Sequence, residues 1–128
     1  MSSNTTDALA PKCSVLMAAY NAERFVGEAV ESILKQTFTD YEFIIVNDGS
    51  TDNTLNVLQE YAAHDKRIAL VSRANRGIGA TRNELLRMAR GEYIATMDAD
   101  DVAIETRLAL QVAFLDAHAE VVLYLIHI

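Results

Sequence analysis

Apolar residues follow two rhythms along this chain. Cys13 to Ala19 is a short apolar run without polar alternation, which predicts a strand covered on both faces. Tyr41 to Asn47, Ile68 to Val71 and Tyr93 to Met97 are further strand-like runs, and Val121 to Leu125 predicts a fifth. Between them the spacing turns helical: Phe25, Val26, Ala29, Val30, Ile33 and Leu34 share one stripe, and Leu55, Leu58, Tyr61 and Ala62 another. Leu85, Leu86 and Met88 mark a third helix, which Gly91 ends, and Leu108, Val112 and Leu115 a last one from about Glu105 to Ala117. Asn21 reads as the cap of the first helix, and Ser50, Thr51 or Asp52 as that of the second. Ser72 to Gly79 reads as a loop, and Gly27, about 1 kcal/mol worse than alanine inside a helix, reads as a point of close packing on a sheet.

Strands alternating with helices of this length predict an α/β fold, a Rossmann-like, mostly parallel sheet with flanking helices and right-handed crossovers. Parallel order has a functional consequence. The C-terminal ends of all strands then lie along one edge, where open α/β sheets bind ligands. Ala18-Ala19-Tyr20-Asn21, Asn47-Asp48-Gly49-Ser50 and Asp98-Ala99-Asp100-Asp101 all fall at such ends and converge on one crevice.

The 128 residues fit one domain with a real core and exclude a second full one. Residues 1–11 read as a disordered leader without a secretory signal, and 12–128 as the domain. With 11 basic and 18 acidic side chains the formal charge is −7, which argues against a nucleic-acid or anionic-membrane partner. A phosphorylated ligand would need a cation to mediate. The lone cysteine, Cys13, excludes an internal disulfide and fits a reducing compartment as a small buried strand residue. No apolar stretch approaches the roughly 20 residues of a membrane helix.

Against that acidic background, Asp98, Asp100 and Asp101 stand within four residues at a strand end. Two like charges about 4 Å apart repel by roughly 4 kcal/mol at an effective dielectric near 20, so the cluster asks for a cation. Hard oxygen donors select Mg2+ or Mn2+, shared with substrate phosphates. The alternative is a solvated acidic loop that caps the final helix, above all for Asp101. Asp48 reads either as an Asx-turn former or as an acceptor for a ligand base or sugar, with Gly49 letting that ligand approach the backbone. Arg73 and Arg76 read as loop charges within reach of a phosphate, and His64, His118 and His127 as solvated.

Several motifs stand in register: Ser14-Val15-Leu16-Met17-Ala18-Ala19-Tyr20-Asn21, Ser32-Ile33-Leu34-Lys35-Gln36-Thr37-Phe38, Asn47-Asp48-Gly49-Ser50-Thr51-Asp52, Asn75-Arg76-Gly77, Thr81-Arg82-Asn83 and Gly91-Glu92-Tyr93-Ile94 lead into the Asp98 cluster. Together they resemble the nucleotide-sugar-binding half of a family 2 glycosyltransferase with the GT-A fold, over about residues 12–118. The resemblance implies that Ala18, Tyr20 and Asn21 line the base and ribose pocket, that Asp48 binds a uracil-type base, and that Arg82 faces the nucleotide or phosphates. It implies that Asp98 and Asp100 form an Asp-x-Asp motif for ribose and metal-diphosphate, with Asp101 as the alternative metal contact. Asn47 stands where many relatives have a second aspartate.

The implied activity is inverting transfer from a nucleoside diphosphate sugar, UDP-type favoured, to a glycan or lipid-linked acceptor, in the cytoplasm or at the cytoplasmic membrane face. The catalytic base and acceptor half are expected beyond residue 128, so the chain reads as the donor-binding part of a longer enzyme. A non-catalytic nucleotide-binding module is the alternative. A phospho-acceptor receiver domain suits the length but not the residues, since no acids follow the first strand and no lysine the last.

Overall fold

The computed structural model describes residues 10–118 and 125–127. Among them, five parallel strands, β1 (Cys13–Ala19), β2 (Tyr41–Asp48), β3 (Ile68–Arg73), β4 (Tyr93–Asp98) and β5 (Leu125–His127), alternate with α1 (Val26–Leu34), α2 (Thr54–His64), α3 (Ile78–Met88) and α4 (Arg107–Ala117). The sheet order is β3-β2-β1-β4-β5. Successive strands thus add to one side of β1 and then to the other, which puts the switch point between β1 and β4, where such sheets open a ligand crevice.

Burial explains the apolar run of β1. Val15, Met17, Phe43, Ile45, Ala95 and Met97 point to one face, against Val26, Val30 and Ile33 of α1, Leu58 of α2 and Leu108 and Val112 of α4. Leu16, Ile44 and Val46 point to the other, where Leu85 of α3 packs. Strands covered on both faces favour apolar residues at nearly every position, and the buried polar ones, Ser14 and Glu42, pair with each other. Cys13 is buried at the start of β1, and burial pushes its thiol up to about 12. That leaves it without thiolate chemistry near neutral pH.

The element boundaries depart from the sequence reading in several places. Helix α1 begins at Val26, not after Asn21, and its cap position is Phe25 without a side-chain hydrogen bond. Asn21 instead adopts a left-handed φ of 48°. Strands β2 and β3 each run further than predicted, through Asp48 and Arg73, because these two residues are register partners across the sheet. A Cβ at Gly27 would meet Tyr61 and Val57 of α2 at 3.5–3.9 Å, so its close packing is helix on helix, not helix on sheet. In the predicted fifth strand, residues 121–124 lie outside the described residues, as do residues 1–9 of the predicted leader; β5 pairs with β4 from Leu125 on.

Gly91 does more than end a helix. A Cβ there would sit 2.6 Å from the Ser14 backbone nitrogen and 2.7 Å from the Cys13 carbonyl carbon. Its N–H donates to Ser14 Oγ at 2.7 Å, Ser14 donates to the buried Glu42, and Glu42 also accepts the Arg90 N–H at 2.7 Å. The entry to β4 is thereby seated on β1 and β2. Gly91→Ala is expected to lower the unfolding free energy by about 1–3 kcal/mol through overpacking; a urea titration showing no loss would contradict that seating.

Candidate functional site at the C-terminal edge of the sheet

Three strand ends build the site. At the end of β4 the chain turns sharply, with the Asp101 N–H donating to the Asp98 carbonyl at 3.1 Å. Ala99 is buried inside this turn while Asp98 and Asp100 are exposed and Asp101 is half-buried. One carboxylate oxygen from each of the three aspartates lies within 4.8 Å of the others. Oxygens on opposite sides of an octahedral Mg2+ at metal–oxygen distances of about 2.0–2.1 Å are roughly 4.2 Å apart, so this donor set fits such a cation with small side-chain adjustments.

The segment that follows is tethered, which fixes the turn from behind. Ala103 N–H donates to Ser32 Oγ at 3.0 Å, and the Gln36 side-chain amide donates to the Ile104 carbonyl at 2.6 Å. Gln36 also accepts the Leu108 N–H at 2.9 Å, and the Thr37 N–H donates to the Glu105 carbonyl at 2.9 Å. Gln36 is 4% exposed. In the sequence it appears only as one member of the Ser32–Phe38 motif, because the partners it holds behind the turn lie about seventy residues away.

The β2 end presents Asp48, 5% exposed. Its carboxylate accepts from the Arg73 guanidinium, the Arg76 N–H at 2.8 Å, the Gly77 N–H at 3.1 Å and the Asn75 side-chain amide at 3.3 Å. Burial alone would raise its pKa, but the Arg76 N–H, the Arg73 side chain and the Gly77 N–H outweigh that and hold it below the ordinary 3.8. Asp48 therefore organises the loop 74–77 rather than forming only a local turn. Gly49, at φ 71°, is approached by Asn75 rather than left open to a ligand, since a Cβ there would lie 2.4 Å from the Asn75 nitrogen.

At the β1 end, Ala18 is the register partner of Asp98 on one side and of Val46 on the other. A cavity of about 350 Å3 between α3 and the sheet is lined by Ala18, Arg82, Thr96 and Asp98, with Leu16, Leu85 and Leu86 as its apolar wall. A smaller cavity of about 170 Å3 is lined by Ala18, Ala19, Tyr20, Asp48, Asn75 and Gly77. The two meet at Ala18 and Ile78, which line both. Tyr20 is 52% exposed, so its ring offers a face to whatever occupies the smaller cavity.

Of the residues singled out in the sequence, the structure thus gathers Ala18, Tyr20, Asp48, Arg82 and Asp98 around two adjoining cavities, with Asp100 and Asp101 beside Asp98. Asn21 lines neither. Its side-chain oxygen accepts the Thr51 N–H at 2.8 Å and its own N–H donates to Ser50 Oγ at 2.9 Å, which braces the β1 and β2 loops together. Asn47 is likewise a brace, donating to Ser72 Oγ at 3.0 Å. Arg73 is engaged by Asp48, Glu84 and Thr81, whereas Arg82 forms no ion pair among the described residues. Ile78, Asn75, Leu86 and Thr96 join the site only in the fold. For Asn75 the Asn75-Arg76-Gly77 motif is the one signal the sequence offers.

A family model described as Glycosyl transferase family 2 matches residues 14–128. A protein of Bacillus subtilis (strain 168) named as a putative glycosyltransferase, EpsE, is 46% identical over 110 residues, covering 84% of this chain and 40% of EpsE. The structure of Staphylococcus aureus TarS 1–349 in complex with UDP-GlcNAc superposes with a TM-score of 0.78 at 33% identity, over 84% of this chain and 32% of that one. The mannosyltransferase PcManGT from Pyrobaculum calidifontis, in complex with GDP-Man and Mn2+, gives 0.73 at 28% identity, over 83% of this chain and 32% of its own. The chain thus spans well under half the length of each.

Proposed function

The chain belongs to glycosyl transferase family 2, and from that we propose that its cleft binds a nucleoside diphosphate sugar through a divalent cation. The observation that carries the reading is the continuity of the cleft. Asp48 and Tyr20 stand at one end, the three aspartates at the other, and Ala18 and Ile78 border both cavities between them.

In this reading Tyr20 packs against the base and Asp48 accepts from it, with UDP-type donors favoured. Ala18 floors the ribose, and Arg82 directs its positive charge toward the diphosphate. Asp98 and Asp100 hold Mg2+ or Mn2+, with Asp101 as the alternative ligand. When bound, the cation would supply charge neutralisation of the departing diphosphate. Buried Leu16 and Leu85 form the apolar wall beside that charge. Inverting transfer to a glycan or lipid-linked acceptor needs a base to take the acceptor proton, and none of the residues of this cleft is assigned that role. Among the described residues no helix is long and apolar enough to cross a membrane. The work would fall in the cytoplasm, at the membrane face where the acceptor is lipid-linked.

Incubation with a UDP-sugar and Mn2+, followed for UDP release, separates transferase from binding module. Release that requires Mn2+ and disappears in Asp100→Ala supports transferase chemistry in this chain. Binding without release supports a donor-binding role alone, and absence of both overturns the proposal.

A further inference from the structure

Arg73 is the last residue of β3 and the register partner of Asp48. Its side chain is 15% exposed and reaches three other side chains at once. One guanidinium nitrogen donates to Asp48, a second to Thr81 Oγ1 at 2.9 Å, and Nε to Glu84 at 2.6 Å. Thr81 is fully buried and itself donates to the Gly77 carbonyl at 2.8 Å. A planar fork with fixed donor directions, held by two points on α3, leaves the Asp48 carboxylate one orientation.

That orientation matters because the acceptor sites of Asp48 are already filled. Arg73 and the Arg76 N–H share one oxygen, while the Gly77 N–H at 3.1 Å and the Asn75 amide at 3.3 Å share the other. The second oxygen holds the longer bonds, so a base N–H would enter there by displacing one of them. Arg73 binds the first oxygen and keeps the carboxylate in place during the exchange.

We infer that Arg73 is a positioning residue of the donor site, which presents the Gly77-facing oxygen of Asp48 to the nucleobase while touching no ligand itself. The inference rests on the donor-binding reading above. Its consequence is confined to the base end of the cleft, because the bonds of Arg73 run to Asp48, Ala74, Thr81 and Glu84 and not to the Asp98 turn or Arg82.

The test compares wild type, Arg73→Gln and Arg73→Lys by calorimetric titration with UDP and, separately, with inorganic pyrophosphate, both with Mn2+. Arg73→Gln is expected to weaken UDP at least about tenfold, as misplacement of a binding group does, while pyrophosphate stays within about twofold. Arg73→Lys, which restores the charge without the fork, is expected to recover only part of the loss. Equal weakening of UDP and pyrophosphate would mean a merely structural role and overturn the inference, as would unchanged UDP binding. If Arg73→Gln does not fold, Thr81→Val removes one of the two anchor points and should show the same base-end loss in smaller measure; no loss there overturns the inference. A wild type that binds pyrophosphate but not UDP, or neither, overturns the donor reading itself.

Discussion

Asp100→Ala is expected to remove the manganese-dependent part of nucleotide binding while leaving the fold untouched. Asp100 is exposed in the turn that ends β4, and the turn is held by the Asp98 carbonyl, by buried Ala99 and by the tethers from Ser32, Gln36 and Thr37, none of which involves the Asp100 side chain. Unfolding free energy should therefore stay within about 0.5 kcal/mol of wild type. Binding should not. The cluster offers three oxygens within 4.8 Å, and removing one leaves a cation with two carboxylates and more water. Removal of a charged partner of this kind costs on the order of 3 kcal/mol, or roughly 100-fold in affinity. Titration of the variant with UDP in the presence and absence of Mn2+ checks this, and an unchanged manganese effect would remove Asp100 from the proposed metal site.

The second large effect is on stability. Asp48→Ala leaves the Arg76 and Gly77 N–H groups, the Asn75 amide and the Arg73 guanidinium without their shared acceptor. Stranded donors of this kind each cost about 1–3 kcal/mol where water does not reach them, and the exposed ones are rescued. The net loss should be about 3 kcal/mol, read as a shift in urea midpoint, together with loss of UDP binding. An unchanged midpoint would mean that the loop 74–77 holds without Asp48.

The same residue gives a pH dependence. Asp48 has a folded pKa below its unfolded value near 3.8, so the unfolded chain binds the proton more readily at low pH. Its contribution is fully present well above about 3.8 and is lost as pH falls through the lower folded value. Melts between about pH 5 and pH 2 should show that slope in wild type and a shallower one in Asp48→Asn. Equal slopes would mean that the carboxylate is not stabilised by its donors.

The sheet and the acidic cluster are legible in the sequence because both depend on local pattern. β1 reads as a buried strand since each of its faces meets helices, and three acids in a turn after a strand are visible without any knowledge of the fold. The supports of the site are not legible in this way. Arg73 reads as a loop charge because its pairing with Asp48 follows from β2–β3 register, which no local window contains. Asn21 resembles a helix cap, but its side chain reaches the loop after β2, and α1 starts only at Val26. Gly49 reads as a point of close backbone approach for a ligand, and Asn75 already fills the space beside it. Gln36 stands in the sequence only as one member of the Ser32–Phe38 motif, although it holds the segment behind the Asp98 turn. In each case residue type suggests polarity or tightness, and only the fold supplies the partner.

The proposed function turns on one cleft that reads a nucleoside at Asp48 and a cation-bound diphosphate at Asp98. Calorimetric titration of the wild-type chain with UDP and GDP, each with and without Mn2+, tests it most directly. UDP should bind with a dissociation constant of about 1 mM or tighter, at least about tenfold tighter with Mn2+ than without, and more tightly than GDP. Nucleotide binding that is indifferent to Mn2+, or no binding of either nucleotide by the folded chain, would contradict it.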